Sequence, residues 1–239
     1  MKTIIITGAS SGVGKQLAKT FKNEKLILLS RNKAKLFAFA KTLKNAEAYI
    51  CDITDIHQVK NTFDKITKNH SKIDVLINCA GVWTKGELSQ QGNGHIAEIN
   101  SLERIKQVID TNTYGTIAMI KSIVPIMQKQ GYGQIININS QSGVIVEEFC
   151  PVYNASKQGS RAFSKAIQSD LAKQNIRLTD ICPGLIKTDF YNNANDPLPE
   201  SVMETGLDAS DIANLVKYVV ELPSNITLPS IEIKDMKNF

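Results

Sequence analysis

The chain has 239 residues, of which 42% are hydrophobic, 21% charged and 6% aromatic. This composition is ordinary for a globular protein and argues against a disordered, collagen-like or coiled-coil chain. Lys and Arg number 28 against 23 for Asp and Glu, a formal net charge of +5 without long blocks of one sign. The modest excess predicts no nucleic-acid partner, because such proteins usually concentrate their basic residues on one surface.

The four cysteines, Cys51, Cys79, Cys150 and Cys182, match no metal-ligand spacing. We therefore expect four reduced thiols and no metal site. The apolar run at the N-terminus is too short for a signal peptide, and no run approaches the roughly 20 apolar residues that span a bilayer. These features predict a cytoplasmic protein without a membrane partner.

Short runs rich in Ile, Val and Leu alternate with longer segments of helical period, as in βαβ units. The runs are nearly continuous, which favours a parallel sheet with helices on both faces. We predict one doubly wound, Rossmann-type α/β domain over residues 1–239, with seven strands in the order 3-2-1-4-5-6-7. In chain order the strands are expected at Thr3–Thr7, Lys25–Ser30, Ala46–Ile50, Val75–Asn78, Gln134–Ile138, Arg177–Cys182 and Ile231–Lys234.

Helices are expected between these strands, with Thr54 and Ser210 as N-caps of two of them. Residues 82–101 and 189–206 are interpreted as loops, and 184–206 as a substrate-loop region, because long loops in compact domains are often functional. The helices are predicted at Gly14–Lys22, Lys33–Leu43, Ile56–Asn69, Leu102–Met127, Tyr153–Gln174 and Asp211–Glu221.

A glycine-rich turn containing Gly8, Gly12 and Gly14 joins the first strand to the first helix. Glycine lets the backbone approach a phosphate, and the N–H groups at a helix N-terminus attract its charge. Gly14-Lys15 is similar to the end of a P-loop, but the spacing is one residue too long and Gln16 lacks the hydroxyl for Mg²⁺. The turn therefore favours a dinucleotide lying across the carboxyl ends of the strands.

The end of the second strand distinguishes NAD from NADP. Ser30 offers no carboxylate to a ribose 2′-OH, whereas Arg31 offers a guanidinium to a 2′-phosphate. Lys15 is expected on the same side, although Arg31 could also be a solvated strand-end residue. We predict NADP(H) as the preferred cofactor, with NAD(H) possible. Asp52, after the third strand, is expected near the adenine, although Asp is also common in turns.

Tyr153 and Lys157 lie four residues apart at the start of a predicted helix and share one face of it. A nearby ammonium favours the phenolate, so we expect Lys157 to lower the pKa of Tyr153 and make it a general acid or base. Most such pairs are surface contacts, so this one gains meaning only from its surroundings.

Six motifs, each at the expected element boundary, resemble those of the short-chain dehydrogenase/reductase family over nearly the whole chain. They are Thr7-Gly8-x-x-x-Gly12-x-Gly14, Asn78-Cys79-Ala80-Gly81, the tetrad asparagine at Asn112, the catalytic serine at Ser140, Tyr153-x-x-x-Lys157 and Pro183-Gly184-Leu185-Ile186-Lys187-Thr188.

This resemblance implies that Tyr153 exchanges a proton with the substrate oxygen and that Lys157 lowers the pKa of Tyr153 and holds the nicotinamide ribose. Ser140 would hydrogen-bond the substrate carbonyl, and Asn112 would hold a water linking Lys157 to solvent. The implied cofactor contacts are Gly8, Ser10, Ser11, Gly12, Val13, Gly14, Arg31, Asp52, Ile53, Asn78, Ala80, Gly81, Tyr153, Lys157, Pro183, Gly184, Ile186 and Thr188.

The resemblance also implies hydride transfer between a nicotinamide and the carbonyl or secondary alcohol of a small substrate. Apolar residues expected near the nicotinamide suit a neutral carbonyl compound, although each could instead be a core or loop anchor. Family members often form homodimers or homotetramers, which we expect here. The apolar residues are Trp83, Ile145, Val146, Phe149, Phe190 and Tyr191.

The chain departs from the family pattern at some positions. Cys79 replaces the second Asn of N-N-A-G, and the C-terminus lacks D-G-G but is similar to the branch acting on hydroxy acids and small carbonyls. His95 is interpreted as an exposed loop histidine. A non-catalytic NADP-binding regulator or redox sensor, an epimerase or dehydratase, and an NAD-preferring enzyme remain alternatives.

Overall fold

A computed structural model describes residues 1–84 and 101–238. The expectation for His95 and most of the loop predicted at 82–101 lie outside these residues. No helix within the two described ranges is both long and apolar enough to cross a membrane. Cys51, Cys79, Cys150 and Cys182 carry free thiols.

Seven described strands form one parallel sheet in the order β3-β2-β1-β4-β5-β6-β9. The predicted fold and strand order are confirmed. The strands are β1 (Thr3–Thr7), β2 (Lys25–Ser30), β3 (Ala46–Ile50), β4 (Val75–Asn78), β5 (Gly133–Ile138), β6 (Ile176–Pro183) and β9 (Ser230–Ile233), and a separate pair consists of β7 (Ile186–Lys187) and β8 (Leu207–Asp208).

Helices cover both faces of this sheet, as its continuous apolar strands require. Ile4 and Ile6 of β1 pack on the side of α1, α2 and α8, whereas Ile5 packs on the side of α3, α5 and α6. The helices are α1 (Gly12–Thr20), α2 (Lys33–Ala40), α3 (Ile56–Asn69), α4 (Leu102–Ile109), α5 (Thr116–Gln130), α6 (Pro151–Ala172), α7 (Glu200–Met203) and α8 (Ala209–Glu221).

A π-helical turn over Asp110–Gly115 divides the helix that was predicted to be continuous from Leu102 to Met127. The extra residue of this turn lets two successive side chains reach α6. Asn112 Nδ2 donates to Ser156 Oγ at 3.0 Å, and Thr113 Oγ1 donates to the Ser156 carbonyl at 2.7 Å. Single π-turns inside helices often mark functional sites.

Two predicted N-caps are wrong by one or two residues. Asp55, not Thr54, caps α3, because its carboxylate accepts from the backbone N–H groups of His57 and Gln58. Asp208, not Ser210, is the N-cap of α8, and its own N–H donates to the Asp211 carboxylate at 2.9 Å.

A row of hydrogen-bonded polar side chains crosses the middle of the sheet. Asn78, Asn137 and Asp180 occupy paired positions on β4, β5 and β6. Asn78 Nδ2 donates to Asn137 Oδ1 at 2.9 Å, and Asn137 Nδ2 donates to Asp180 Oδ1 at 3.0 Å. Burial raises the pKa of Asp180 to about 6, against the lowering effect of its hydrogen bonds to Asn137 and Ser164.

Candidate active site

The carboxyl ends of the central strands open into a cavity of about 620 Å³. Its wall includes the glycine turn before α1, the end of β2, the residues after β4 and β5, and the segment after β6. A cleft at this edge of a doubly wound sheet is where such folds bind ligands.

The glycine turn has a backbone that other residues would strain. Gly8 and Gly12 adopt φ angles of +67° and +48°, and a Cβ on Gly8 would lie 2.9 Å from Ala80 Cα. Ser11, the N-cap of α1, makes no capping hydrogen bond through its side chain, and the first turn of α1 contains no acidic residue. The first N–H groups of α1 and its positive dipole end therefore suit an anionic group such as a phosphate.

Two basic side chains line the cavity near the end of β2. Arg31 is half exposed, with its guanidinium 3.7 Å from Asp52 Oδ2. Lys35, in the first turn of α2, also lines the wall. Lys15 does not, because its Nζ lies 5.3 Å from the Phe39 ring centroid. The second basic residue of this end is thus Lys35, three residues after Asn32, the N-cap of α2.

Tyr153, Lys157 and Ser140 meet at the other end of the cavity. Pro151 begins α6 two residues before Tyr153. Tyr153 and Lys157 therefore both lie in this helix, four residues apart, and share one of its faces. The side chains of Tyr153 and Ser140 are hydrogen-bonded. Lys157 Nζ donates to the Ile138 carbonyl at 3.2 Å and lies 5.7 Å from the Tyr153 ring centroid.

Burial dominates the acid–base properties of this pair. It raises the pKa of Tyr153 well above 10, with Tyr191 acting in the same direction and the Ser140 hydrogen bond in the opposite one. Burial also lowers the pKa of Lys157 to about 8, although nearby Cys79 raises it. The expectation of a lowered Tyr153 pKa is wrong, because desolvation by burial is the largest contribution and the lowering one comes from the Ser140 hydrogen bond. Tyr153 is therefore a neutral phenol, a proton donor, at neutral pH.

Asn112 and Asn78, both expected at the site, lie behind the cavity wall. Asn112 Oδ1 accepts from the Val82 N–H at 2.9 Å, and its amide donates to the Val82 carbonyl at 3.0 Å. A Cβ on Gly81 would lie 3.3 Å from Asn112 Oδ1 and 3.8 Å from Lys157 Nζ. Asn112 thus fixes the chain after β4 close to Lys157, whereas Asn78 belongs to the polar row in the sheet.

The remaining residues expected to contact a cofactor all line the cavity. They are Gly8, Ser10, Ser11, Gly12, Val13, Gly14, Arg31, Asp52, Ile53, Ala80, Gly81, Tyr153, Lys157, Pro183, Gly184, Ile186 and Thr188.

Aromatic rings surround Tyr153. The Trp83 ring lies edge-on to those of Tyr153 and Tyr191, with centroid distances of 4.7 and 5.0 Å. Phe190 lies 6.2 Å from Tyr153. Trp83, Phe190 and Tyr191 line the cavity, but Ile145, Val146 and Phe149 do not. The expectation is wrong for Ile145 and Val146, whose side chains lie at the protein surface, whereas the Phe149 ring lies 6.5 Å from that of Trp83.

One face of α4 and the π-turn adds polar residues that the sequence motifs do not include. Arg104, Gln107 and Thr111 line the cavity at the i, i+3 and i+7 spacing of a helical face. Arg104 donates to Gln107 Oε1 at 2.6 Å and to the Trp83 carbonyl. Within residues 1–84 and 101–238, no acidic side chain pairs with Arg104. The cavity is therefore less purely apolar than expected.

Comparisons with known proteins find a family model, curated relatives and solved structures that this chain resembles. The sequence model described as short chain dehydrogenase matches residues 2–199. An uncharacterized oxidoreductase of Staphylococcus saprophyticus is 29% identical over 240 residues, which cover 98% of this chain and 97% of the relative. A 3-oxoacyl-[acyl-carrier-protein] reductase of Bos taurus is 30% identical over 227 residues, which cover 93% of this chain and 92% of the relative.

A solved structure described as the closed form of serine dehydrogenase complexed with NADP⁺ aligns with a TM-score of 0.87 at 27% identity. The alignment covers 97% of this chain and 94% of that one.

Proposed function

The chain belongs to the short chain dehydrogenase family, and from this premise we propose that it is an NADP(H)-dependent oxidoreductase that interconverts a carbonyl group and a secondary alcohol of a small substrate. Tyr153 is its general acid and base. The observation that carries the proposal is the meeting of Tyr153, Ser140 and Lys157 at one end of a cavity whose other end holds a glycine turn.

The donor set of the cavity fits NADP(H). The uncapped N-terminus of α1 suits a diphosphate, and Arg31 with Lys35 suits an additional 2′-phosphate. The relative in the serine dehydrogenase structure is complexed with NADP⁺, which supports the same choice here. When bound, the nicotinamide supplies or accepts the hydride at the substrate carbon.

The residues of the chain manage the proton. In carbonyl reduction, buried Tyr153 donates its phenolic proton to the substrate oxygen, and Ser140 orients that oxygen. Lys157, with a pKa of about 8, exchanges protons readily near neutral pH and returns one to Tyr153. Asn112, which lies beside Lys157 behind Gly81, holds the water that connects Lys157 to solvent. Alcohol oxidation uses the same groups in reverse.

The substrate end is enclosed by Trp83, Phe190 and Tyr191, the last two from the substrate-loop region 184–206. Aromatic walls of this kind favour a small, largely apolar carbonyl compound or its alcohol.

The protein is further proposed to act in the cytoplasm as a homodimer or homotetramer. Ala155, Ala162 and Ala166 are exposed on one face of α6, and small residues there allow close helix packing between copies. Size-exclusion chromatography with light scattering tests this, and a monomer would contradict it.

The function is tested by titrating the protein with NADPH and NADH through nicotinamide fluorescence, then assaying a panel of small aldehydes, ketones and alcohols. NADPH should bind more tightly. Tyr153→Phe should lower turnover by about 10²- to 10⁴-fold and leave NADPH affinity within about twofold, because only the proton donor is lost.

Near-normal turnover by Tyr153→Phe would contradict the mechanism. Tighter NADH binding would overturn the cofactor choice. Tight NADPH binding without turnover of any compound would favour a regulator, and products without net redox change would favour an epimerase or dehydratase.

A further inference from the structure

A chain of hydrogen bonds leads from Tyr153 through Ser140 to a carboxylate. Ser140 Oγ accepts from the Ser142 N–H at 3.2 Å, and the two hydroxyl oxygens lie 3.4 Å apart. The Ser142 hydroxyl in turn donates to Glu147 Oε2. Ser142 is only 3% exposed, so its hydroxyl depends on a protein acceptor.

Two hydrogen bonds between the Asn154 side chain and the Glu147 backbone hold Glu147 in place. Asn154 Nδ2 donates to the Glu147 carbonyl at 2.6 Å, and the Glu147 N–H donates to Asn154 Oδ1 at 3.3 Å. Asn154 is buried and follows Tyr153 directly on α6. The loop that carries Glu147 is thus fixed to the helix that carries Tyr153, and the Glu147 carboxylate lies behind the cavity wall.

The negative charge of Glu147 is not consumed by an ion pair. In the part of the chain that the structure describes, no Lys or Arg lies within salt-bridge distance of it. Its carboxylate receives the Ser142 hydroxyl and lies 3.8 Å from Cys150 Sγ. An ionised carboxylate accepts hydrogen bonds and donates none.

We propose that Glu147 is a positioning residue that sets the direction of the hydrogen bonds on Ser140 by accepting the Ser142 proton. This inference rests on the proposed function. A hydroxyl has one proton to donate. Because Ser142 gives its proton to Glu147, its oxygen accepts from the Ser140 hydroxyl, and the Ser140 oxygen remains available to the Tyr153 hydroxyl. Without the carboxylate, the Ser142 hydroxyl is free to reverse this bond and donate to Ser140, where it competes with the Tyr153 hydroxyl for the Ser140 oxygen.

The proposal makes a suppressor prediction. Glu147→Ala should lower kcat by about 10-fold, a typical effect of losing a hydrogen bond that orders a catalytic group. The double variant Glu147→Ala with Ser142→Ala should recover to within about threefold of wild type, because the competing hydroxyl is gone. Glu147→Gln should retain most activity, since its amide oxygen still accepts the Ser142 proton.

Kinetics of NADPH oxidation with the best carbonyl compound of the panel provide the measurement. The matched control is Glu148→Ala, which removes the same charge from the adjacent exposed position and should keep wild-type kcat. NADPH affinity should stay within about twofold in every variant, which separates positioning from loss of fold.

Recovery in the double variant supports the proposal, because a purely structural role for Glu147 would make it as slow as Glu147→Ala or slower. That slower outcome overturns the proposal, as does wild-type kcat in Glu147→Ala. The Tyr153→Phe variant distinguishes failure of this proposal from failure of the proposed function. If Tyr153→Phe is inactive and Glu147→Ala behaves like Glu148→Ala, the proposed function stands and only the role of Glu147 is contradicted.

Discussion

Trp83 Nε1 donates to Asp196 Oδ2 at 2.8 Å, although the two residues are 113 positions apart in the chain. The bond connects the chain after β4 to residues 184–206, the segment proposed to contact the substrate. Because the Trp83 ring also lies against Tyr153, the position of the loop and that of the candidate proton donor depend on one indole.

Asp196→Ala should raise KM for the carbonyl substrate by about 10-fold, since a hydrogen bond to a charged group is worth about 1.5 kcal/mol or more. NADPH affinity should change little, because Asp196 does not line the cavity. Steady-state kinetics check this, with Glu200→Ala, an exposed acid of the same region, as control. Equal effects of the two variants would argue against a specific role for the bond.

Arg31→Ala should weaken NADPH binding more than NADH binding by about 1.5 to 3 kcal/mol, the worth of hydrogen bonds between charged groups. Lys35→Ala should act in the same direction. Lys33→Ala is the matched control, because Lys33 lies in the same turn but does not line the cavity. Fluorescence titrations with NADPH and with NADH give the affinities of wild type and the three variants. Equal losses for both cofactors would show that neither residue recognises the 2′-phosphate.

Lys157→Met should abolish turnover yet stabilise the fold at pH 7. The pKa of Lys157 falls from 10.5 to about 8 in the folded protein, so below pH 8 the native state holds a buried charge that costs at most about 3 kcal/mol. As the pH rises from 8 to 10.5, the native lysine becomes neutral before the unfolded one does, and wild type gains stability relative to the variant.

Urea unfolding at pH 7 and pH 10 measures this difference, which should be larger at pH 7. Lys165→Met, at an exposed position of the same helix, should show no such pH-dependent difference. A Lys157→Met variant that is less stable than wild type at both pH values would contradict the prediction.

Gly8→Ala and Gly131→Ala separate backbone conformation from close approach. Both glycines have positive φ angles, +67° and +79°. A Cβ on Gly131 meets nothing within 4 Å, so its substitution should cost about 1 to 2 kcal/mol. Gly8→Ala also forces a Cβ against the Ala80 backbone and should cost more and weaken NADPH binding. Thermal unfolding and NADPH titration check both, and equal stability losses would refute the close-approach argument.

The sheet could be predicted from sequence because a strand buried on both faces needs an uninterrupted apolar run, as in Ile4–Ile6 and Leu26–Leu29. The two ends of the cavity could also be predicted, because the glycines lie where β1 meets α1 and the Tyr153 and Lys157 pair lies at the start of α6. Cap positions were less predictable, because Thr54 and Asp55 are both good caps and only side-chain geometry selects one.

Other features depend on three-dimensional packing. The π-turn adds one residue to a helix but changes the spacing of its apolar residues too little to be recognised in the sequence. Lys15 and Lys35 look equivalent in sequence, and the stacking of Lys15 on Phe39 decides between them. The pKa of Tyr153 follows from burial, which spacing alone does not reveal.

The polar row of Asn78, Asn137 and Asp180 bears on how the chain finds its native alignment during folding. If one of the strands β4, β5 and β6 shifted by two residues, its apolar side chains would still face apolar neighbours on both faces of the sheet. Apolar packing alone therefore distinguishes poorly between the two alignments. Such a shift would leave buried amide and carboxyl groups without hydrogen-bond partners, at a cost of about 1 to 3 kcal/mol for each group. The polar row therefore favours the native alignment of the three strands. Replacing its residues should increase misaligned, aggregation-prone chains more than it changes catalysis.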